Sequence, residues 1–202
     1  MAQLNRSQNP GLIEGARTLP AFRMALAALA LLLALPAAAL ESGFDFPTTI
    51  GDFARGPRTN YEEKAPGLGY SVVYMNGRWK ADIFVYDIGF ANIPDGPSSP
   101  AVVGQLAQAS GDIEEAVKRG VYRGSEDRGA LRVPGTAGAK LACRAFTIDH
   151  PDLGSTDSLL CITGLHGKFV KFRMTGPAAM QPKRAEAEGF MTRWLEKQRN
   201  SF

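Results

Sequence analysis

Apolar and polar residues alternate along 70–75 and again along 78–88, the period of a strand with one buried face. Asn76-Gly77 stands between the two runs, and both residues accept the positive φ of a two-residue hairpin turn. A turn centred there pairs Tyr74 with Trp79, Val72 with Ala81 and Tyr70 with Ile83, and gathers these six with Val85 on one apolar face. Ser71, Val73 and Met75 then oppose Asp82, Lys80 and Arg78 on the more polar face. Tyr70, Tyr74 and Trp79 are read as core rather than as the lining of a pocket. Alternation returns along 169–175, with Val170, Phe172 and Met174 on one side and Phe169, Lys171, Arg173 and Thr175 on the other. The runs 140–148 and 158–164 also read as strands, joined by the turn-rich 149–157, and Leu165-His166-Gly167-Lys168 reads as a second tight turn.

Over 99–119 the period changes to that of a helix. Ser99 suits the cap and Pro100 the first helical position. Val102, Val103, Leu106, Ala109, Ile113, Ala116 and Val117 then recur at steps of three and four until Gly120. Pro182 opens a second helix, in which Ala187, Phe190, Met191, Trp194 and Leu195 make a stripe to bury. Other stretches are less regular. Phe44, Phe46, Ile50 and Phe53 mark 41–53 as a short edge strand or an apolar arm, and the polar 54–69 reads as a loop. One or two short strands fall within 121–133, around 126–129, before a loop at 134–138. The order predicts an α+β fold: a mainly antiparallel sheet of about five to seven strands covered by two amphipathic helices.

The beginning of the chain has a different character. Arg17 and Arg23 precede an unbroken apolar run over 24–35, followed by Pro36 and Ala37-Ala38-Ala39. Positive flank, apolar core and small residues are the order of a secretory signal. The run of 12 residues is short beside the roughly 20 that a bilayer span needs. A signal over 1–39, cleaved after Ala39, and one exported domain over 40–202 are expected, and a retained membrane anchor is the alternative. The protein is therefore expected in the periplasm or outside the cell, touching membrane only through that segment.

Export bears on Cys143 and Cys161, the two cysteines of the chain. If their strands pair antiparallel about Asp152, the two stand opposite each other, with Cβ atoms about 4.5–5.5 Å apart, near disulfide reach. An oxidising compartment favours the bond. The alternative is two buried thiols acting as small apolar residues. A redox-catalytic pair is not expected, because there is no Cys-x-x-Cys spacing.

Composition adds limits. Of 202 residues, 45% are hydrophobic and 21% charged, which suits a globular domain. The net charge is +3, of which Arg6, Arg17 and Arg23 against Glu14 place +2 in the first 39 residues. The remaining +1 shows no concentrated basic face, so no nucleic-acid partner is expected. His166 is explained by its turn, and His150 with Asp149, Asp152 and Asp157 lacks EF-hand spacing and reads as a solvated loop. Ser155, His150 and Asp157 make a triad only on paper, and the adjacent pairs Glu62-Glu63 and Glu114-Glu115 point apart. No nucleophile elbow or phosphate loop is present. No catalytic, cofactor-binding or metal-binding residue is assigned, no cofactor is expected, and the balance lies against an enzyme. Lys168, Lys171 and Arg173, with Lys183 and Arg184, form a candidate contact surface for an acidic partner or anionic headgroups. The plainer reading of these cations is a charged sheet edge.

In element order the chain resembles the PsbP-like α/β/α sandwich, found in extrinsic photosystem subunits and in small exported bacterial proteins. The hairpin over 70–88, the helix over 99–119, the strand Phe169-Val170-Lys171-Phe172-Arg173-Met174-Thr175 and the helix over 182–198 carry the resemblance. It implies a binding or accessory protein and transfers no site residue. The expected function is a non-catalytic periplasmic binding or accessory domain acting through contacts with a protein partner. Two alternatives are a small-molecule or lipid binder with a pocket between sheet and helix, and an unrecognised hydrolase.

Overall fold

The computed structural model of the chain describes residues 43–133 and 141–199. The expected signal over 1–39 and the 134–138 loop lie outside them. Among the described residues, eight strands form one antiparallel sheet: β1 (Thr49–Ile50), β2 (Phe53–Asn60), β3 (Tyr70–Met75), β4 (Lys80–Tyr86), β5 (Gly124–Val133), β6 (Leu141–His150), β7 (Gly154–Leu165) and β8 (Lys168–Pro177). Their spatial order is β1-β2-β3-β4-β8-β7-β6-β5. Helix α1 (Pro100–Lys118) covers one face over β5, β6 and β7, and α2 (Arg184–Arg199) covers the other.

The fold class is as expected, but eight strands replace five to seven. The additions are polar. Most of β2 is exposed and it contains Pro57, where a register shift between Arg55 and Arg58 absorbs the missing donor. Strand β5 is one ten-residue edge strand with a bulge between Asp127 and Gly129. Neither carries the apolar alternation that marks a half-buried strand.

The first hairpin also differs. Tyr74 faces Ala81, Val72 faces Ile83 and Tyr70 faces Val85, so the turn centres one residue later than Asn76-Gly77. Asn76 Oδ1 accepts the backbone N–H groups of Arg78 and Trp79, which fixes the later turn. Moving a turn by one residue moves each partner by two, so the inward face survives. Trp79 thereby leaves the ladder. It folds over the hairpin end, buried, with its indole N–H donating to the Lys183 carbonyl at 3.1 Å.

On the α2 face, Phe53, Val72, Tyr74, Ile83, Phe172 and Met174 meet the predicted stripe of Ala187, Phe190, Met191, Trp194 and Leu195. The arm carrying Phe44 and Phe46 packs on this core, tied by a reciprocal bond pair between the Asp45 backbone and the Gln198 amide. On the α1 face, Val102, Ala109 and Ile113 meet Phe146, Ile148, Leu160, Ile162 and Phe169. The Ser99 hydroxyl caps α1 at Val102 N. Val103, read as part of the buried stripe, instead faces solvent. Ile93 is pinned here by paired backbone bonds between Gly96 and Gly164. A Cβ on Gly164 would meet the Pro94 carbonyl oxygen at 2.0 Å, so the approach needs glycine there.

Candidate functional site

Because α1 sits over β5 to β7, the neighbouring strands β8 and β4 floor a groove along its flank. Strand alternation aims Lys171 and Arg173 into it, from the same face as the buried Phe169. Lys171 lies between Ile162 of β7 and Phe84 of β4, and Arg173 between Leu160 and Asp82. The opening measures about 230 Å³ and is lined by Phe84, Ala109, Asp112, Ile113, Tyr122 and the two cations. A second opening of about 210 Å³ shares Tyr122 and Arg173 with it, and adds Lys80, Asp82, His150 and Thr175.

The electrostatics of this groove are unusual. Lys171 and Arg173 are half-buried, and neither forms a hydrogen bond or an ion pair within 4.0 Å among the described residues. The Lys171 ammonium instead lies 4.6 Å from the centre of the Phe84 ring and 5.3 Å from that of Tyr86. Burial holds the Lys171 amine below the usual lysine range, with Asp112 working against the shift and Arg173 adding to it. Burial lowers Arg173 too, opposed by Tyr122 and Asp82. Asp82, the acid across the ladder from Arg173, is engaged by Lys80 at 2.8 Å. Lys171 and Arg173 are thus two partly desolvated like charges on one strand face, and an anion placed between them would offset their repulsion.

The other cations of the candidate surface lie apart from this pair. Lys168 stands in the β7–β8 turn and donates to the Asp87 carboxylate. Lys183 precedes and Arg184 begins α2 on the opposite face, where Arg184 lines a different cavity of about 340 Å³ with Trp79, Arg128 and Asp157. Arg128 there is already held by Glu126 at 3.0 Å and by the Thr147 hydroxyl at 3.1 Å. Strand β8 is interior, so its cations do not form a sheet edge.

His150 closes β6 and His166 follows β7, so the two histidines flank opposite ends of the β7 strand. His150 Nδ1 accepts the backbone N–H of Asp152 at 3.1 Å, a turn-capping role, and His166 has the positive φ of its tight turn. Alternation puts Ser155 and Asp157 on the face away from His150, so the paper triad does not converge. Among the described residues, no three His, Cys, Asp or Glu side chains gather. Cys143 stands directly opposite Cys161 in the β6–β7 ladder, buried on the α2 face, with the sulfurs at bonding distance, 2.07 Å.

Phe84, Asp112 and Tyr122 were missed as groove residues. The sequence pattern places Asp82 and Lys80 on the polar face of their hairpin, and Lys171 and Arg173 on the polar face of theirs. What was missing is the β4–β8 pairing that makes these one face.

No family model matches the chain, and no curated protein does. Among solved structures it is similar to the solution structure of cyanobacterial PsbP (CyanoP) from Synechocystis sp. PCC 6803. The identity is 12% and the TM-score 0.39, with 68% of this chain and 87% of that chain covered.

Proposed function

We propose that this chain is an exported, non-catalytic binding domain that receives an anionic group in the groove beside α1. The observation that carries this reading is the pair Lys171 and Arg173, half-buried on one strand face and, among the described residues, with no acid within ion-pair distance. Export draws on the apolar run before Ala37-Ala38-Ala39 and on the facing cysteines. Binding rather than catalysis draws on the setting of the cations: their neighbours are aromatic, aliphatic or acidic, and His150 commits Nδ1 to its own turn.

The test is thermal unfolding in chloride, acetate, phosphate and benzoate at one ionic strength, wild type against Lys171→Gln/Arg173→Gln. An anion at 100 times its Kd adds about 2.7 kcal/mol, or about 5–10 °C for a domain of this size. An upshift that the double variant lacks is expected. The same response of both proteins in every salt would remove the reading.

A second reading is docking of a protein partner at the end of the sheet carrying Leu68, Ile88 and Phe90, which are 46%, 36% and 46% exposed on adjoining loops. Ile88 holds a φ of 46° there, a costly conformation for a β-branched residue, tied by its N–H to the Gly67 carbonyl at 2.8 Å. Crosslinking from position 90 in the native envelope would capture a second protein; recovery of this chain alone would count against it.

A further inference from the structure

We infer that the groove beside α1 takes a small monocarboxylate carried on a flat apolar body of about ring size, with the carboxylate lodged between Lys171 and Arg173. This rests on the groove being the binding site, and it names the ligand.

Charge selects one negative unit. Among the described residues, the ionic groups lining the two openings are Lys80, Lys171 and Arg173 against Asp82 and Asp112, a net charge of +1. Setting aside the engaged pair of Lys80 and Asp82 leaves Lys171, Arg173 and Asp112, again +1. A monoanion brings the groove to neutrality. A dianion leaves an excess negative charge facing Asp112 in a partly desolvated site, where such repulsion is weakly screened.

Geometry selects a carboxylate. The guanidinium is a planar fork that matches two carboxylate oxygens, while the lysine ammonium is a point charge that needs only one. Successive inward positions of a strand lie about 6.6 Å apart, so one planar group placed between Lys171 and Arg173 reaches both without bringing them together. Besides Asp112 and Tyr122 the wall is apolar: Phe84 on β4, Leu160 across β8 on β7, and Ala109, Ile113 and Ala116 on α1. At about 230 Å³ the opening falls below the roughly 300–1,000 Å³ of drug-sized sites, so the body it covers is small. The adjoining space mixes Ile148 and Leu153 with Lys80, Asp82, His150 and Thr175, so a long acyl chain would meet a wall broken by charged and polar groups.

The probes are benzoate, its neutral isostere benzamide and the dianion phenylphosphonate, titrated calorimetrically at mildly alkaline pH. Benzoate is expected to bind about tenfold or more tighter than either, a difference of about 1.4 kcal/mol. Arg173→Lys keeps the charge, loses the fork and weakens benzoate about tenfold. Lys171→Met weakens benzoate while leaving the unfolding temperature unchanged or raised, because it removes a desolvated charge; that combination separates loss of a site from loss of the fold. Phenylphosphonate binding as tightly as benzoate would overturn the monocarboxylate assignment and leave the anion groove standing. Benzamide matching benzoate, or no binding of any probe, would overturn both.

Discussion

Trp194→Ala is expected to lower the unfolding free energy by about 3–5 kcal/mol, the range for truncating a large buried aromatic. Trp194 is fully buried near the middle of α2 and meets three rings: Phe44 at 6.0 Å, Phe46 at 5.4 Å and Phe172 at 5.5 Å between centroids. It therefore clamps the N-terminal arm, α2 and the centre of the sheet at one point. Among the described residues its buried indole N–H has no hydrogen-bond partner, so truncation also removes a donor unsatisfied there and returns part of the loss. The expected value lies nearer the lower bound. Urea unfolding measures it as a fall in midpoint at constant slope. A change below about 1 kcal/mol would mean that α2 is not docked as described.

The second large effect belongs to the cysteines. Cys143 and Cys161 are 18 positions apart, and closing a loop of that order restricts the unfolded chain by about 3 kcal/mol. The β6–β7 hairpin turns through only Pro151, Asp152 and Leu153, so transient hairpin in the unfolded ensemble reduces the gain. Replacing both cysteines by alanine is expected to cost about 2–3 kcal/mol. A thiol assay on denatured, exported protein should find no titratable group. Two thiols would remove the bond and, with it, the chemical support for an oxidising compartment.

Legibility from sequence followed burial. In β3, β4, β8 and α2 one face is apolar throughout, so their periods appear in Tyr70-Val72-Tyr74, in Val170-Phe172-Met174 and in the stripe ending at Trp194 and Leu195, while the second face of β4 and β8 mixes Phe84, Tyr86 and Phe169 with charged residues. Strands β2 and β5 run near or at the sheet edges with most side chains in solvent, and their backbones pair without leaving a pattern in the side chains. The hairpin register differs from the one Asn76-Gly77 predicts because the Asn76 side chain captures the N–H groups of Arg78 and Trp79 and moves the turn on by one residue. The facing cysteines were legible because hairpin pairing is local.

The groove was legible only in halves. Lys171 and Arg173 were singled out on their strand, and the polar face of the first hairpin held Asp82 and Lys80. Their union depends on β4 pairing with β8, a long-range contact that no local period encodes. Tyr122 and Asp112 enter only because α1 stops short of β8 and leaves its flank open. The two cations therefore read as a charged edge in one dimension and as a partly desolvated pair in three.

An anion is expected to land between Lys171 and Arg173. Backbone amide shifts in a ¹H–¹⁵N spectrum of the folded domain, followed as benzoate is added, test this directly. The largest changes are expected at Phe84, Asp112, Tyr122, Lys171 and Arg173, with Lys183, Arg184 and the Leu68–Phe90 end unmoved. Changes spread over the exposed lysines and arginines, or centred on Arg128 and Arg184, would contradict it.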